Sequence, residues 1–593
     1  MEAGSSKAHS AQQKFDQFLT LIPYILRYKK KVSIGIFFIV VGNVLGLFQP
    51  ILLQQAIDTL RDDLQTSTML LYGLLILAFA IAEGVFTFLK RQTIIVVSRH
   101  IEYDLRNDFF RHLQKMSMRF FQKYRTGDMM ARSTNDLNAV RAIVGPGIMY
   151  FCNTIILFIG TLSVMFYLNP KLSALALLPM LIMVLMVYKL MQKIYNIFKD
   201  SQEKFSEITA HVQENITGIR VVKAYVQEEM EKGRFAVLNE DYIALNMQLA
   251  KIRSALWAGM TFFTGIAAMI VLWVGGDEVA AQELSLGALV AFFALLTRLT
   301  WPMIALGWVM NLTQQGIASM SRINEILHTE PEITTQPGPG NATTTIKGNI
   351  EFRDVCFEYD REPVLKNINL RIEQGKTLAI VGSIGSGKTT LLNLIPRLFD
   401  ANSGQILIDG TPIQQIPVDV LRRNIGYVTQ ETFLFSETIA ENINFGIENP
   451  VPAQTTDAAK ASQLYKDIDA FPDKLETMLG ERGINMSGGQ KQRAAISRAV
   501  IREPSILLLD DALSAVDTYT EEKILHHLRG VMRNRTSIII SHRISTIRDA
   551  DEIIVIEDGR IVEKGGHEGL LKKAGFYADL FKKQQLEEEL ADI

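Results

Sequence analysis

The long apolar runs of this chain all lie before residue 311, and after about residue 346 the apolar stretches become short and alternate with polar turns. A helix needs about 20 mostly apolar residues to cross a bilayer. Soluble helices rarely stay apolar on every face for that long, which argues against six buried helices of a soluble protein. The pattern therefore predicts six membrane-spanning helices, at about residues 32–54, 68–89, 143–168, 172–191, 254–275 and 285–310.

The basic residues between these stretches orient the predicted helices. Segments 90–142 and 189–253 carry 11 and 10 Lys and Arg residues, whereas the connections on the opposite side carry one or none. Because basic loops stay on the cytoplasmic side, both termini and both long loops are expected to be cytoplasmic. The long loops keep helical periodicity, so we expect the spanning helices to continue into the cytoplasm. Turn-like breaks interrupt them at 120–127 and 214–218.

Two ionisable residues lie deep in the apolar stretches, Glu83 in the second and Arg298 in the sixth. A charge at the bilayer centre costs about 2.5–3.5 kcal/mol on insertion scales, so neither is expected to face lipid. Two interpretations stay open. The residues line a water-filled cavity, or they form a structural pair within the chain or across a subunit interface.

Composition excludes several other classes of protein. The chain has 593 residues, 48% of them hydrophobic and 21% charged, with a formal net charge of −2 and a mean hydropathy of +0.14. This nearly neutral charge gives no sign of a nucleic-acid partner. Cys152 and Cys356 fall in different blocks and indicate neither a disulfide framework nor a metal site. The polar first 30 residues do not resemble a cleavable signal peptide.

A helix-breaking segment divides the chain. Residues 331–348 read PEITTQPGPGNATTTIKG, and this richness in Pro, Gly and Thr is typical of a domain boundary. We therefore expect an α-helical membrane domain over residues 1–330, a linker over 331–348 and a soluble α/β domain over 349–593.

The most specific motif of the second half is a glycine-rich loop. It follows an apolar strand predicted over 378–381 and precedes an apolar helical run over 391–398, which is the context of a phosphate-binding P-loop. Glycines let backbone N–H groups surround phosphate oxygens at a helix N-terminus. Lys388 is expected to reach the β- and γ-phosphates of ATP, and Thr389 to offer its hydroxyl to Mg²⁺. The candidate nucleotide-binding residues here are Gly382, Ser383, Gly385, Ser386, Gly387, Lys388, Thr389 and Thr390.

A second strand of this half ends in a carboxylate. The run Ser505–Asp510 reads SILLLD, which places Asp510 at the C-terminal edge of a parallel sheet. There it can hold Mg²⁺ directly or through water. The pattern alone has little specificity, but downstream of a P-loop it is a strong indication of a metal ligand.

A further motif resembles the ATP-binding cassette (ABC) family. The segment after residue 485 is similar to the signature of that family and precedes Asp510 by about 20 residues. In the family, the signature of one cassette contacts the ATP that is held by the P-loop of a second cassette. The candidate residues for this contact are Met486, Ser487, Gly488, Gly489 and Gln490.

Other positions match the same family in the same order along the chain. The resemblance implies that Tyr359 stacks on adenine, that Gln430 senses Mg²⁺ and the membrane domain, and that His542 contacts the γ-phosphate. Asp517 ends a segment, 514–517, that resembles the D-loop. Residues 480–483 resemble the segment that touches the coupling loops of the partner in exporters.

The resemblance covers about residues 15–585, and six spans before one cassette are similar to the exporter type of half-transporter. Such chains work in pairs, so it implies a second half-transporter as partner, with breaks near 120–127 and 214–223 acting as coupling helices. It also implies ATP-driven export of an amphipathic small molecule, drug or lipid across the cell membrane, with ATP and Mg²⁺ as cofactors. A homodimeric lipid or peptide exporter and an ATP-gated channel stay as alternatives.

One position departs from the family pattern. The residue after the Mg²⁺ aspartate is normally a glutamate that polarises the attacking water, whereas this chain has Asp511. A misplacement of about 1 Å can cost about 100-fold in rate, and aspartate is one methylene shorter. The chain thus resembles the Asp-containing subunit of heterodimeric multidrug exporters. A homodimer with two slow sites is the alternative.

Overall fold

The computed structural model describes residues 19–62, 66–335, 345–480, 483 and 485–591, and it divides into two compact units. The first unit comprises the chain up to Gln114 together with Arg125–Thr329. The second comprises Lys115–Tyr124 and the chain from Glu330 onward. The domain boundaries at 330 and 348 stay predictions, since half of the linker lies outside the described residues. Two residues of the segment 480–483 also lie outside the described residues.

Long helices make up the first unit. The longest has 53 residues, far more than a bilayer requires, so the expected extension of the helices beyond spanning length is confirmed. A short helix over Met118–Lys123, which belongs to the second unit, interrupts the series of long helices along the chain. The helices up to the linker are α1 Ile22–Arg27, α2 Lys29–Asp62, α3 Thr66–Leu113, α4 Met118–Lys123, α5 Thr126–Leu168, α6 Pro170–Thr217, α7 Ile219–Ala224, α8 Glu228–Ala280 and α9 Leu286–Leu327.

Five of these helices are long and apolar enough to cross a membrane: α2, α3, α5, α6 and α8. In α9, the apolar part among the described residues is the shorter stretch Leu286–Leu299. An α-helical membrane domain is therefore confirmed, while the number of six spans stays a prediction.

The family resemblance implied a coupling helix at each break in the cytoplasmic extensions, and the structure has a short helix at or directly after each of them. The first break holds α4, which Ser117 caps by accepting a hydrogen bond from the backbone N–H of Phe120. The second short helix, α7, begins directly after Gly218, the last residue of the break predicted at 214–218. Their docking on cassettes stays a prediction.

The two membrane charges lie together and share a third polar residue. Arg298 Nη2 of α9 is 3.5 Å from Glu83 Oε2 of α3 and 3.0 Å from Gln49 Oε1 of α2. Gln49 Nε2 also donates to Glu83 Oε2 at 2.9 Å. Gly46 makes room, since a Cβ there would lie 2.5 Å from Arg298 Nη1. The structural pair of Glu83 and Arg298, one of the two interpretations that the sequence left open, is therefore present. The amide of Gln49 bonds to both members of the pair.

This cluster predicts strong energetic coupling between Glu83 and Arg298. Either single alanine substitution leaves a membrane charge without its partner, so each should lower stability more than the double substitution does. We expect a coupling energy of about 1–3 kcal/mol in a double-mutant cycle. Thermal unfolding of the protein in lipid nanodiscs measures it, with Ser163→Ala, whose hydroxyl donates to the carbonyl of Ile159 in its own helix, as the control. Additive single effects would exclude the pairing.

The second unit is built on two sheets. A six-stranded sheet has the order β10-β9-β3-β8-β7-β6, parallel except for its edge strand β10. A four-stranded antiparallel sheet has the order β2-β1-β4-β5. The strands are β1 Ile350–Tyr359, β2 Glu362–Ile372, β3 Thr377–Val381, β4 Ser403–Ile408, β5 Thr411–Pro412, β6 Ile425–Val428, β7 Ile506–Asp510, β8 Thr536–Ile540, β9 Glu552–Glu557 and β10 Arg560–Gly565.

Hydrophobic cores formed by the described residues of this unit hold it together. One contains side chains of both sheets, such as Phe352 and Leu508. The second covers the opposite face of the large sheet, and the third joins the helices that precede the signature. The helices of the unit are α10 Lys388–Leu394, α11 Val418–Arg423, α12 Ile439–Asn444, α13 Pro452–Ala461, α14 Tyr465–Ile468, α15 Gly488–Val500, α16 Thr518–Met532, α17 Ile544–Ile547, α18 His567–Lys573 and α19 Phe576–Ala591.

Candidate active site

Four parallel strands of the large sheet end at one edge, and the candidate residues follow them. The register pairs Val428 with Leu509, Asp510 with Ile540, and Ile540 with Ile380. Because carboxyl ends of parallel strands meet at one edge of a sheet, the loops after β3, β6, β7 and β8 lie side by side. This brings together the P-loop, Gln430, the pair Asp510–Asp511 and His542.

The P-loop connects β3 to α10 through glycines with backbone angles that other residues rarely adopt. Gly385 and Gly387 have φ of 82° and 103°. Lys388 begins α10, three residues earlier than the predicted helical run. Its side chain is buried, and Nζ donates to the carbonyl oxygens of Gly382 at 3.0 Å and Ser383 at 2.7 Å. Burial lowers the pKa of Lys388, while the nearby Asp510 and Asp511 oppose that change.

Two buried oxygen atoms near this loop have no hydrogen-bond partner among the described residues, Ser386 Oγ and Asp510 Oδ2. Burial raises the pKa of Asp510, and the hydroxyl of Thr389 opposes the rise by hydrogen bonding. Carboxylate and hydroxyl oxygens are the ligands that Mg²⁺ prefers. The donor set at Thr389 and Asp510 therefore fits Mg²⁺, and Ser386 fits a phosphate group.

Asp511 follows β7 in a left-handed conformation with φ of 48°. Its N–H donates to the carbonyl of Ile540 at 3.0 Å, and its own carbonyl accepts from Ser514 Oγ at 3.0 Å. The carbonyl also accepts from Gln492 Nε2 at 3.4 Å. The backbone of Asp511 is thus fixed on both sides, and the position of its carboxylate follows from the length of its side chain.

His542 and Gln430 are both exposed at this edge. His542 lies near Asp510, and a positive charge on its imidazole lowers the pKa of that carboxyl, against the rise that burial causes. The carbonyl of His542 accepts a hydrogen bond from Gln584 Nε2 of α19, which anchors the loop after β8. Gln430 lies two residues beyond the end of β6. The roles of His542 and Gln430 toward γ-phosphate and Mg²⁺ stay predictions.

Tyr359 ends β1 beside the hairpin that leads into β2. This hairpin touches the P-loop, since a Cβ on Gly387 would lie 3.1 Å from the carbonyl oxygen of Val364. The half-buried ring of Tyr359 packs edge-on against Phe357 at 4.7 Å and Phe399 at 5.4 Å between centroids. The tyrosine is held next to the nucleotide loop, and its stacking on adenine stays a prediction.

The signature forms the N-terminus of α15. Ser487 Oγ accepts from the N–H of Gln490 at 3.3 Å, and the Ser487 N–H donates to Gln490 Oε1 at 2.9 Å. This capping box fixes the first turn, and N–H groups at a helix start favour an anion. Gly488 and Gly489 pack against Ala515, where a Cβ on Gly489 would lie 2.9 Å from its carbonyl oxygen. Met486 instead buries its side chain in the core of the neighbouring helices.

One functional residue escaped the sequence analysis. Gln492 is almost completely buried and accepts from the N–H of Ala515 at 2.9 Å. Its Nε2 donates to Ser514 Oγ at 2.9 Å as well as to the carbonyl of Asp511. It therefore ties the signature helix to the loop beside the P-loop. Its position two residues after the signature residue Gln490 could have marked it as a candidate. Its hydrogen-bond partners, however, lie in the loop after β7, which is distant along the chain.

Asp517, at the end of this loop, caps α16. Its side chain accepts from the N–H of Thr520 at 2.9 Å. This backbone hydrogen bond lowers the pKa of the Asp517 carboxyl. The structure thus gives Asp517 a local structural role, and its contact with nucleotide stays a prediction.

Both halves of the chain match families of known proteins. Residues 32–303 match the family described as "ABC transporter transmembrane region", and residues 365–514 match the family described as "ABC transporter". The second match includes the P-loop, Gln430, the signature and Asp511.

Curated relatives match along nearly the whole chain. A Bacillus subtilis (strain 168) protein, named "Probable multidrug resistance ABC transporter ATP-binding/permease protein YheI", is 36% identical and covers 95% of this chain and 96% of its own. The "ATP-dependent lipid A-core flippase" of Syntrophus aciditrophicus (strain SB) is 33% identical, with coverages of 98% and 96%. A solved structure, "Structure of a bacterial Atm1-family ABC exporter with ATP bound", aligns with a TM-score of 0.80 and 28% identity over 94% of this chain and 99% of its own.

Proposed function

The chain belongs to the ABC transporter family as an ATP-hydrolysing membrane exporter with a cytoplasmic cassette, and we propose that it is one half of a heterodimer with unequal ATP sites. The site formed by its own P-loop would hydrolyse ATP slowly. The site formed by its signature and the P-loop of a different partner chain would carry most of the turnover. The single observation behind this proposal is Asp511 beside an intact signature.

The fixed backbone of Asp511 supports a slow site. The missing methylene shortens the reach of the carboxylate by about 1.5 Å, the length of one C–C bond. A backbone held by Ile540 and Ser514 does not move to make up this distance. A carboxylate that is misplaced by about 1 Å activates water about 100-fold less well.

The signature supports a competent second site. Ser487, Gly488 and Gly489 are present and ordered by the capping box, so their hydroxyl and N–H groups can contact a γ-phosphate that the partner binds. In this chain, Mg²⁺ would be held by Thr389 and Asp510, with Gln430 beside them. When bound, it neutralises charge on the phosphates. Lys388, held in the loop by two carbonyls, then adds a positive charge to the same phosphates.

We propose that the exported substrate is an amphipathic small molecule, drug or lipid. The names of the relatives, a multidrug resistance transporter and a lipid A-core flippase, support this class. In the proposed cycle, ATP binding draws the two cassettes together and opens the membrane domains outward. Hydrolysis at the competent site resets the pair.

Trapping of nucleotide by vanadate tests the asymmetry. In the complex purified with its native partner, radioactive nucleotide trapped by vanadate and crosslinked by light should label the partner chain and leave this chain nearly unlabelled. Labelling with an ATP analogue in the absence of vanadate serves as the control, since both P-loops bind ATP. Equal trapping on two chains, or trapping on this chain purified by itself, would contradict the proposal.

A further inference from the structure

A lysine lies among amide side chains where three helices of the first unit meet. Lys90 Nζ of α3 donates to Asn153 Oδ1 of α5 at 2.9 Å. The same oxygen accepts from Asn43 Nδ2 of α2 at 3.1 Å. Asn43 is 7% exposed and also donates to the carbonyl of Ile39. A buried polar group within a membrane domain marks a functional site more often than a packing site.

Lys90 lies at a level of the helix bundle that the predicted first span includes. Lysines at the end of an apolar stretch usually extend toward the polar interface. Helices α2 and α3 are antiparallel, with Gly42 against Phe86 and Gly35 against Ile94, so Lys90 is level with residues 38–39. Those residues lie six to seven positions inside the span predicted at 32–54, or about 10 Å along α2, and the Asn43 amide turns back toward them by donating to the carbonyl of Ile39. The hydrogen bond to Asn153 therefore holds the charge at the level of the predicted membrane span.

This charge forms no ion pair with a carboxylate within the described part of the chain, and Glu83 acts on it only at longer range. No described carboxylate oxygen lies within 4.0 Å of Lys90 Nζ, whereas Glu83, two turns along α3, is already bound by Arg298 and Gln49. The two clusters together therefore carry one excess positive charge. An uncompensated ammonium at this depth is unfavourable, so an anion at Lys90 would relieve it.

Further donors and an aromatic surface adjoin the lysine. Arg91 is exposed, and its Nη2 donates to the hydroxyl of Tyr150 at 3.3 Å. Tyr150 precedes Asn153 by one turn of α5. Trp308 of α9 packs edge-on against the ring of Tyr150, 5.0 Å between centroids, and remains 43% exposed. Two cations and a hydroxyl beside an indole ring suit a charged headgroup joined to an apolar body.

We propose that Lys90 and Arg91 form a binding site for the anionic group of an amphipathic substrate, with Trp308 in contact with its apolar part. The site takes a phosphate, sulfate or carboxylate group at the depth of the inner leaflet. This inference deepens the proposed export function by naming its substrate class, and it does not depend on the asymmetry of the ATP sites.

Direct binding to nucleotide-free protein in lipid nanodiscs tests the site. The probe is a bromine-labelled alkyl sulfate that quenches tryptophan fluorescence, compared with the trimethylammonium amphipath of the same chain length. We expect the sulfate to quench Trp308, and Trp308→Phe to remove that quenching. Lys90→Gln combined with Arg91→Gln should raise the Kd for the sulfate at least tenfold and leave the Kd for the cationic amphipath unchanged.

Lys30→Gln is the matched control, because it removes an exposed positive charge at the start of α2, outside the site. Should the double variant fail to insert, Arg91→Gln alone should weaken sulfate binding, and Lys90→Arg should retain it. Equal affinity of the double variant and the unmodified protein for the sulfate would overturn the proposal, as would equal losses for both amphipaths.

Competition separates two sources of the anion. Phosphatidylglycerol in the nanodisc should raise the apparent Kd for the alkyl sulfate, relative to phosphatidylcholine, if a lipid headgroup occupies the site. Absence of this competition, with sulfate binding still dependent on Lys90, assigns the site to an amphipathic anion that enters from water. Basal ATPase activity, measured on the same samples, reports separately on the proposed ATP sites.

Discussion

Ser487→Arg in this chain should nearly abolish the ATPase activity of the complex with its native partner, whereas Asp511→Asn should leave most of it. Ser487 caps α15 and belongs to the site that carries turnover, and an arginine there removes the cap and fills the space of the γ-phosphate. Loss of one donor to a reacting oxyanion costs about 100-fold or more. Asp511 belongs to the slow site, so neutralising its carboxylate removes little. Steady-state phosphate release from the purified complex measures the ATPase activity of each of the two variants.

Three further variants make the comparison sharper. Gln454→Arg places the same cation on an exposed position of α13 and should leave the activity unchanged. Ser487→Ala removes the cap, worth about 1 kcal/mol, without adding bulk, and should be milder than the arginine. Asp511→Glu restores the methylene and should raise turnover if the signature of the partner is competent. If Asp511→Asn abolishes activity as fully as Ser487→Arg does, Asp511 is a working catalytic base and the sites are equal.

Lys388→Ala should weaken nucleotide binding at the P-loop of this chain by about 10- to 100-fold, since a hydrogen bond to a charged group contributes about 1.5–3 kcal/mol. The buried ammonium is the cation that the P-loop offers to the phosphates, and it lies beside Asp510 and Asp511. Photolabelling of this chain by an ATP analogue, titrated in the complex, measures the loss.

Two comparisons separate the charge of Lys388 from its structural role. Lys388→Gln keeps an amide donor for the carbonyls of Gly382 and Ser383 but loses the charge, so it should bind nucleotide nearly as weakly as the alanine variant. Lys376→Ala removes an exposed lysine that pairs with Asp551 at 2.9 Å, and it should label normally. Undiminished labelling of the Lys388→Ala chain would refute the assignment of the P-loop.

The sequence predicted most of the candidate ATP site because each part follows a strand. The strand predicted over 378–381 begins one residue earlier, at Thr377, and the one predicted over 505–510 begins one residue later, at Ile506. Parallel strands carry their loops at one edge, so order along the chain was enough to place the P-loop beside Asp510. The helical run predicted over 391–398 was wrong at both ends, since α10 begins at Lys388 and ends at Leu394, and the pattern of apolar residues marks neither its polar first turn nor the apolar turn that follows it.

The membrane half was predictable to a lesser degree. Its apolar stretches and basic loops determined that helices span a membrane and which ends are cytoplasmic. The short helices α4 and α7 were expected only from the family resemblance, because six residues are too few for a periodic pattern. Glu83 and Arg298 were singled out by their cost in lipid, but the sequence left their pairing open.

By itself, the sequence determined the class of the protein, the order of its elements and the substitution at Asp511, because motifs and hydropathy are local properties of the chain. Only the tertiary structure decided which distant groups meet. Gln49 joins Glu83 to Arg298, Gln492 ties the signature helix to Asp511, and Asn153 holds the ammonium of Lys90 inside the membrane domain. Each of these contacts joins residues on different elements, and their distances depend on how helices and strands pack, which no spacing along the chain encodes.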